Sequence, residues 1–212
     1  MARLTGTGLV ADDLYLMSHH EVTGRPYLHH RAIGVGLAGA LLAELVLAGS
    51  IRIWPEGVAP AGRSLPAGEL ARSVLALVVS ERRRVPDWLA FLARSAERDV
   101  ARRLEHEKYL TLAGSRRPWR TGRWVPVDPD CAFAPLFRAQ AALDPGKPVT
   151  VAGATLAGLA TACGLGSRLL PYGPKGARRW LDETVRQLAP DLRELIAQTQ
   201  AATDSLLLSQ RV

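Results

Sequence analysis

Cysteine is scarce: the 212 residues hold two, Cys131 and Cys163. Two thiols so far apart build neither a disulfide framework nor a metal-ligand cluster. No metal is therefore expected, and both read as small core residues of a protein in a reducing compartment. The opening MARLTGTGLVADD lacks the basic start and apolar run of a secretory signal, which argues against export. No disordered tail, low-complexity linker or internal repeat is evident. With 48% apolar residues the chain supports one substantial core, read as a single domain over 1–212. Nucleophile elbows, P-loops and paired acids are also missing, so no catalytic residues, no cofactor and no enzyme are expected.

Long apolar runs are limited to Ala32–Ala48, AIGVGLAGALLAELVLA, whose only charge is Glu44. A bilayer span needs about 20 apolar residues without a mid-span charge, so this stretch reads as the central core helix. Leu37, Leu41, Glu44 and Leu45 fall at helical spacing. Gly34, Gly36, Ala38, Gly39 and Ala40 would let neighbouring backbones come close, and Gly49 is a natural C-terminal stop. A carboxylate in such a helix calls for a partner, an Arg from a neighbouring helix or a backbone N–H.

Around that helix the pattern predicts a short helix over Leu9–Ser18, a strand over Ser50–Trp54, a loop to Pro66 and a helix over Gly68–Glu81. Pro86 suits the first turn of a helix running to about Lys108. Leu89, Leu92, Ala96, Val100 and Leu104 form its apolar stripe, and Arg94, Arg98 and Arg102 step along an exposed face. Tyr109–Leu112 and Arg123–Val127 read as strands of a hairpin with Arg116, Arg117, Trp119 and Arg120 in its loop and Trp124 beside it. Helices are expected at Asp130–Leu143, Val151–Cys163, Lys175–Leu188 and Pro190–Leu207. The fold class is mainly α, with one or two small β elements.

The net charge of +7 is concentrated. Between Arg82 and Arg123 stand 11 Arg and 1 Lys against 5 acids, which accounts for the whole excess, because the remainder balances at 15 to 15. Arg82, Arg83 and Arg84, the stepped arginines and the hairpin arginines form a basic surface suited to an anionic partner: a lipid surface, nucleic acid or an acidic protein. Indole rings favour the membrane interface and also stack on bases, so Trp119 and Trp124 serve either reading. Gly34, Gly36 and Gly39 spell GxGxxG, but YLHHRAI before them is not the buried strand that a dinucleotide site requires, so close helix packing explains them better. The pairs His19/His20 and His29/His30 lack the one-face spacing of a zinc site. His29 and His30, beside Arg31, could help to bind an anion.

Four stretches together resemble the Golgi phosphoprotein 3 family and its bacterial relatives: LVADDLYLMSHHEVTGRP, GLAGALLAELVLAGSIRI, ARSAERDVARRLEHEKYLTL, and GRWVPVDPD after the hairpin loop. The resemblance covers nearly the whole chain and implies a helical bundle wrapped by amphipathic helices, with a protruding β-hairpin used in self-association. Eukaryotic members are non-enzymatic peripheral membrane proteins that bind phosphatidylinositol 4-phosphate and help retain glycosyltransferases. Carried over without gaps, the family's headgroup-binding Trp and three Arg fall on His29, Ala38, Arg94 and Glu97, of which only Arg94 is kept; Arg31 and Arg98 stand near enough to compensate. The resemblance thus implies a cytoplasmic, peripherally membrane-associated adaptor. It would bind anionic phospholipid through His29, Arg31, Arg94 and Arg98, with a client protein as partner. The hairpin residues Arg116, Arg117, Trp119, Arg120 and Trp124 would touch the membrane or a second copy. A nucleic-acid-binding regulator with a winged basic hairpin is the alternative.

Overall fold

The computed structural model describes residues 7–62, 65–113, 122–141, 143–144, 149–169 and 176–209. Among these the chain forms ten helices and two small antiparallel strand pairs, a mainly α fold as expected. Helix α2 (His30–Leu47) is its axis. Every residue from Ala32 to Leu45 is buried, and α1 (Val10–Ser18), α3 (Glu69–Ser80), α4 (Val85–Leu92), α5 (Ala96–His106), α7 (Val151–Ala162) and α10 (Pro190–Ser209) pack around it. By length and composition α2 could cross a membrane, but 78% of that stretch is buried inside the protein, which is how a core helix behaves. The GxGxxG glycines explain how so many helices fit. A Cβ at Gly34 would lie 2.6 Å from the Ala93 carbonyl oxygen, one at Gly36 2.8 Å from Cys163 Cβ, and one at Gly39 2.6 Å from Thr199 Oγ1. Each glycine admits a different neighbour, so the motif serves packing.

The helix expected from Pro86 to about Lys108 is broken. It ends at Leu92 and restarts at Ala96, with a tight turn at Ala93, Arg94 and Ser95 in which Ser95 N–H donates to the Leu92 carbonyl at 3.1 Å. The turn is where the chain passes closest to Gly34. All five stripe residues from Leu89 to Leu104 are nevertheless buried. One tight turn hardly shifts the phase of the apolar stripe, so periodicity alone could not reveal the break. Ser95, a residue favoured before a helix start, was its only sequence signal.

Beyond the expected strand β1 (Ile51–Trp54) lies β2 (Gly57–Pro60), in a segment expected to be loop. The two pair from Ile51↔Pro60 to Trp54↔Gly57. Gly57 adopts φ +147° and touches the Arg83 backbone, whose carbonyl accepts from Val58 N–H at 3.0 Å. Tertiary contact with the chain before α4 therefore completes a strand that composition alone concealed. The second pair, β3 (Leu110–Ala113) and β4 (Arg123–Pro126), matches expectation. Gly24, at φ +61°, lets β4 settle on the loop after α1, since a Cβ there would stand 2.0 Å from the Trp124 carbonyl oxygen. That seating sets Trp124 over the body of the protein. Helices α6 (Pro129–Ala141), α8 (Gly166–Leu169, not anticipated) and α9 (Ala177–Arg186, starting after the expected Lys175) complete the wrap.

Candidate functional site

Glu44 has both of the partners its position demanded. Its Oε1 accepts from Ala11 N–H at 2.8 Å, and its two oxygens accept from Arg103 Nη1 and Nη2 at 3.2 Å. Arg103 also donates from Nε to Asp12 Oδ1 at 2.8 Å. This ion cluster is enclosed by α1, α2 and α5, with the Arg103 side chain 8% exposed and Asp12 not exposed at all. Burial pushes the Asp12 carboxyl up to about 7 although Arg103 opposes the shift, and Asp13 beside it rises to about 6, opposed by Arg138 at 2.6 Å. Arg103, Asp12 and Glu44 are tied to one another and buried, so their cluster is a structural joint, whereas Arg138 stays partly exposed.

Arginines without such partners gather elsewhere. Arg31 at the start of α2, Arg94 in the turn between α4 and α5, and Arg98 on α5 line one pocket of about 750 Å³, with His30, Glu97 and Trp124. Val35, Pro86, Ala90, Ala93, Ala202 and Leu206 make the rest of its wall, so the guanidinium groups border a largely apolar hollow. All three arginines are exposed. Arg98 Nε reaches its neighbour Asp99 at 3.2 Å, and among the described residues the side chains of Arg31 and Arg94 have no acidic partner. The helix break matters here, because it places Arg94 in a turn beside the first turn of α2 instead of mid-helix.

Glu97 would oppose an anion, but it is engaged. His30 Nδ1 stands 3.0 Å from both of its oxygens, and His19 Nε2 stands 3.3 Å from Oε1. Burial alone would raise the Glu97 carboxyl; the hydrogen bonds and charges of His19 and His30 outweigh it and hold the group below the usual range. His19 is fixed in turn by stacking on Tyr15, with ring centroids 4.1 Å apart, and by its Nδ1 lying 2.9 Å from the Tyr15 carbonyl oxygen. Sequence reasoning missed this convergence, for residues 19, 30 and 97 carry no common spacing.

The other expected site residues are distributed differently. His29 caps α2, accepting from Arg31 N–H at 3.2 Å, and it is His30 that reaches the pocket wall. Ala38 is fully buried. Arg102 lies in a separate groove with Glu69, Asp99 and Glu107. Arg83 pairs with Glu81 and covers the rings of Phe91 and Trp88 at 4.4 and 5.4 Å, while Arg84 pairs with Asp87 at 3.3 Å. Trp124 is half-buried against the core, and its Nε1–H has no acceptor among the described residues. Arg116, Arg117, Trp119 and Arg120 lie outside the described residues.

Comparison with curated proteins finds no match. A family model does match, that of Golgi phosphoprotein 3 (GPP34), over residues 10–204. The match runs from the first residue of α1 into the last turns of α10 and so includes every residue that lines the pocket except Leu206. It agrees with the motifs quoted above and with the helical architecture. The chain belongs to the Golgi phosphoprotein 3 family.

Proposed function

We propose that this protein is a non-enzymatic peripheral adaptor that docks on anionic phospholipid, with a headgroup phosphate seated among Arg31, Arg94 and Arg98. One observation carries the reading: two segments distant in sequence, the start of α2 and the stretch from Arg94 to Arg98, deliver three exposed guanidinium groups to one pocket, and among the described residues two of those groups have no acidic partner. Guanidinium forks match phosphate oxygens in geometry and charge, and each basic side chain near an anionic leaflet contributes about 1 kcal/mol. His29, one residue before the pocket wall, positions the backbone of Arg31 through its cap.

Phosphatidylinositol 4-phosphate is the headgroup that family membership favours, and a client protein would be held at the membrane on the cytoplasmic side. The hairpin beyond β3 and β4 is assigned to membrane contact or to a second copy of the chain. The continuous core from Val10 to Ile196 supports reading the whole chain as one domain. A concave site framed by arginines suits a compact phosphate better than the long rails of duplex DNA.

Co-sedimentation with vesicles tests the proposal. Neutral lipid, generic anionic lipid and phosphatidylinositol 4-phosphate are compared across a salt series, with duplex DNA as soluble competitor. Salt-sensitive binding to anionic vesicles that resists DNA is the expected result, and preference for the phosphoinositide would identify the headgroup. Absence of vesicle binding, or complete displacement by DNA, would overturn the reading in favour of a nucleic-acid regulator.

A further inference from the structure

The last turn of α10 carries side chains that water does not explain. Along this helix Leu192, Leu195, Ile196, Thr199 and Thr203 form the buried stripe, and Thr203 is still only 2% exposed. One turn later the same stripe reaches Leu207, which is 51% exposed, and Leu208 beside it is 67% exposed. The helix has outrun the body that covers it. From Arg193 to Ser205 the exposed positions of α10 are polar or alanine, so the polar face is kept until the point where the helix leaves the core. Helix ends in water favour polar or basic residues. Here the order is reversed, with Leu206, Leu207 and Leu208 in succession.

Position gives these leucines a partner. Leu206 and Ala202 line the pocket of Arg31, Arg94 and Arg98, so the protruding turn begins at the pocket wall. Cations at phosphate depth with apolar side chains next to them are the arrangement by which proteins seat in the boundary between headgroups and acyl chains. We propose that Leu207 and Leu208 enter the acyl boundary of an anionic bilayer while the neighbouring arginines hold its headgroup phosphates. The inference rests on the docking reading of the pocket and adds to it a second contact of different physics. Docking of a second copy across the same face in two-fold symmetry would bring two sets of exposed arginines toward each other, which like-charge repulsion disfavours. A phosphate-bearing leaflet places opposite charge against them instead.

The two contacts separate by their response to salt. Headgroup attraction is screened, whereas transfer of leucine out of water is not. The test compares the unaltered protein, Leu207→Gln/Leu208→Gln and Arg94→Glu/Arg98→Glu on phosphatidylcholine vesicles containing phosphatidylglycerol, at low and high salt. Both leucines are exposed, so the fold should survive, and a thermal melt checks it. Expected is a loss of about tenfold or more in vesicle affinity for the leucine variant, with its residual binding abolished by salt that the unaltered protein tolerates in part. A Leu207→Phe/Leu208→Phe variant should restore binding, because the contact asks for apolar area and not for shape. Equal binding by the leucine variant and the unaltered protein, with loss confined to the arginine variant, would overturn this inference and leave the pocket reading standing. No binding by the unaltered protein would overturn both. A dimer that becomes a monomer in the leucine variant, with vesicle affinity unchanged, would assign the leucines to a second copy and overturn the inference as well.

Discussion

Arg103 and Arg98 stand on the same short helix and have been put to opposite uses. Arg103 faces α1 and α2, where Asp12 and Glu44 satisfy its guanidinium inside the protein. Arg98 faces the other way, beside Arg94 and Arg31, and among the described residues pairs only with its adjacent Asp99. Chemistry does not separate the two, since both are arginines on an amphipathic helix. The difference teaches that an arginine's role is read from what completes it: where protein carboxylates do, it holds helices together, and where none does, an outside anion can.

Breaking the buried side should cost the most. Glu44→Ala leaves Arg103 one carboxylate short and strands Ala11 N–H; removing one partner of a buried ion pair typically costs about 3–5 kcal/mol. Chemical denaturation should show that loss, while any vesicle binding measured on the still-folded fraction stays unchanged. Arg94→Glu/Arg98→Glu is the mirror experiment. At about 1 kcal/mol for each of four units of charge change, vesicle affinity should fall by roughly several hundredfold, with unfolding free energy altered by less than about 1 kcal/mol.

The buried carboxylates supply a pH signature. Asp13 titrates at about 6 in the folded protein against an ordinary value of 3.8, because burial favours its neutral form. The folded state therefore binds the proton more tightly. The stability this contributes is fully present below the ordinary value and is lost as pH rises through 6. Over that window it amounts to about 3 kcal/mol. Unfolding free energy measured from pH 4 to pH 7 should fall more steeply for the unaltered protein than for Asp13→Asn. A curve of equal slope in the two proteins would mean that Arg138 keeps Asp13 ionised throughout.

The finest adjustment belongs to Glu97. Replacing it with Gln removes one negative charge from the pocket wall, worth about 1 kcal/mol, so vesicle affinity near neutral pH should rise roughly fivefold. An unchanged affinity would show that His19 and His30 already cancel the charge.

Much of this architecture was legible beforehand. The spacing of Leu37, Leu41 and Leu45 located the axial helix, the charge of Glu44 demanded the partners it proved to have, and small residues forecast close packing. The tight turn at Ala93–Ser95 was hidden because it preserves the phase of the apolar stripe. Strand β2 was hidden because its Gly, Ala and Pro composition reads as loop, although it pairs with the adjacent β1 and gains one further hydrogen bond from Val58 N–H to the distant Arg83 carbonyl. Within the pocket, Arg31, Arg94 and Arg98 were named in advance and His30 was noted beside His29 for anion binding, but Arg102 was grouped with the arginines and only His29 was assigned to the headgroup.

By itself the sequence determined the axial helix, most of the helices around it, the β3–β4 hairpin and where positive charge accumulates, since side-chain period and composition are local properties that survive without a fold. Only the tertiary structure decided which arginines are completed from within and which are left open, that Glu97 is shared by two histidines, and that α10 runs past its own core. Those outcomes depend on distances between residues far apart in the chain, and packing around α2 sets them.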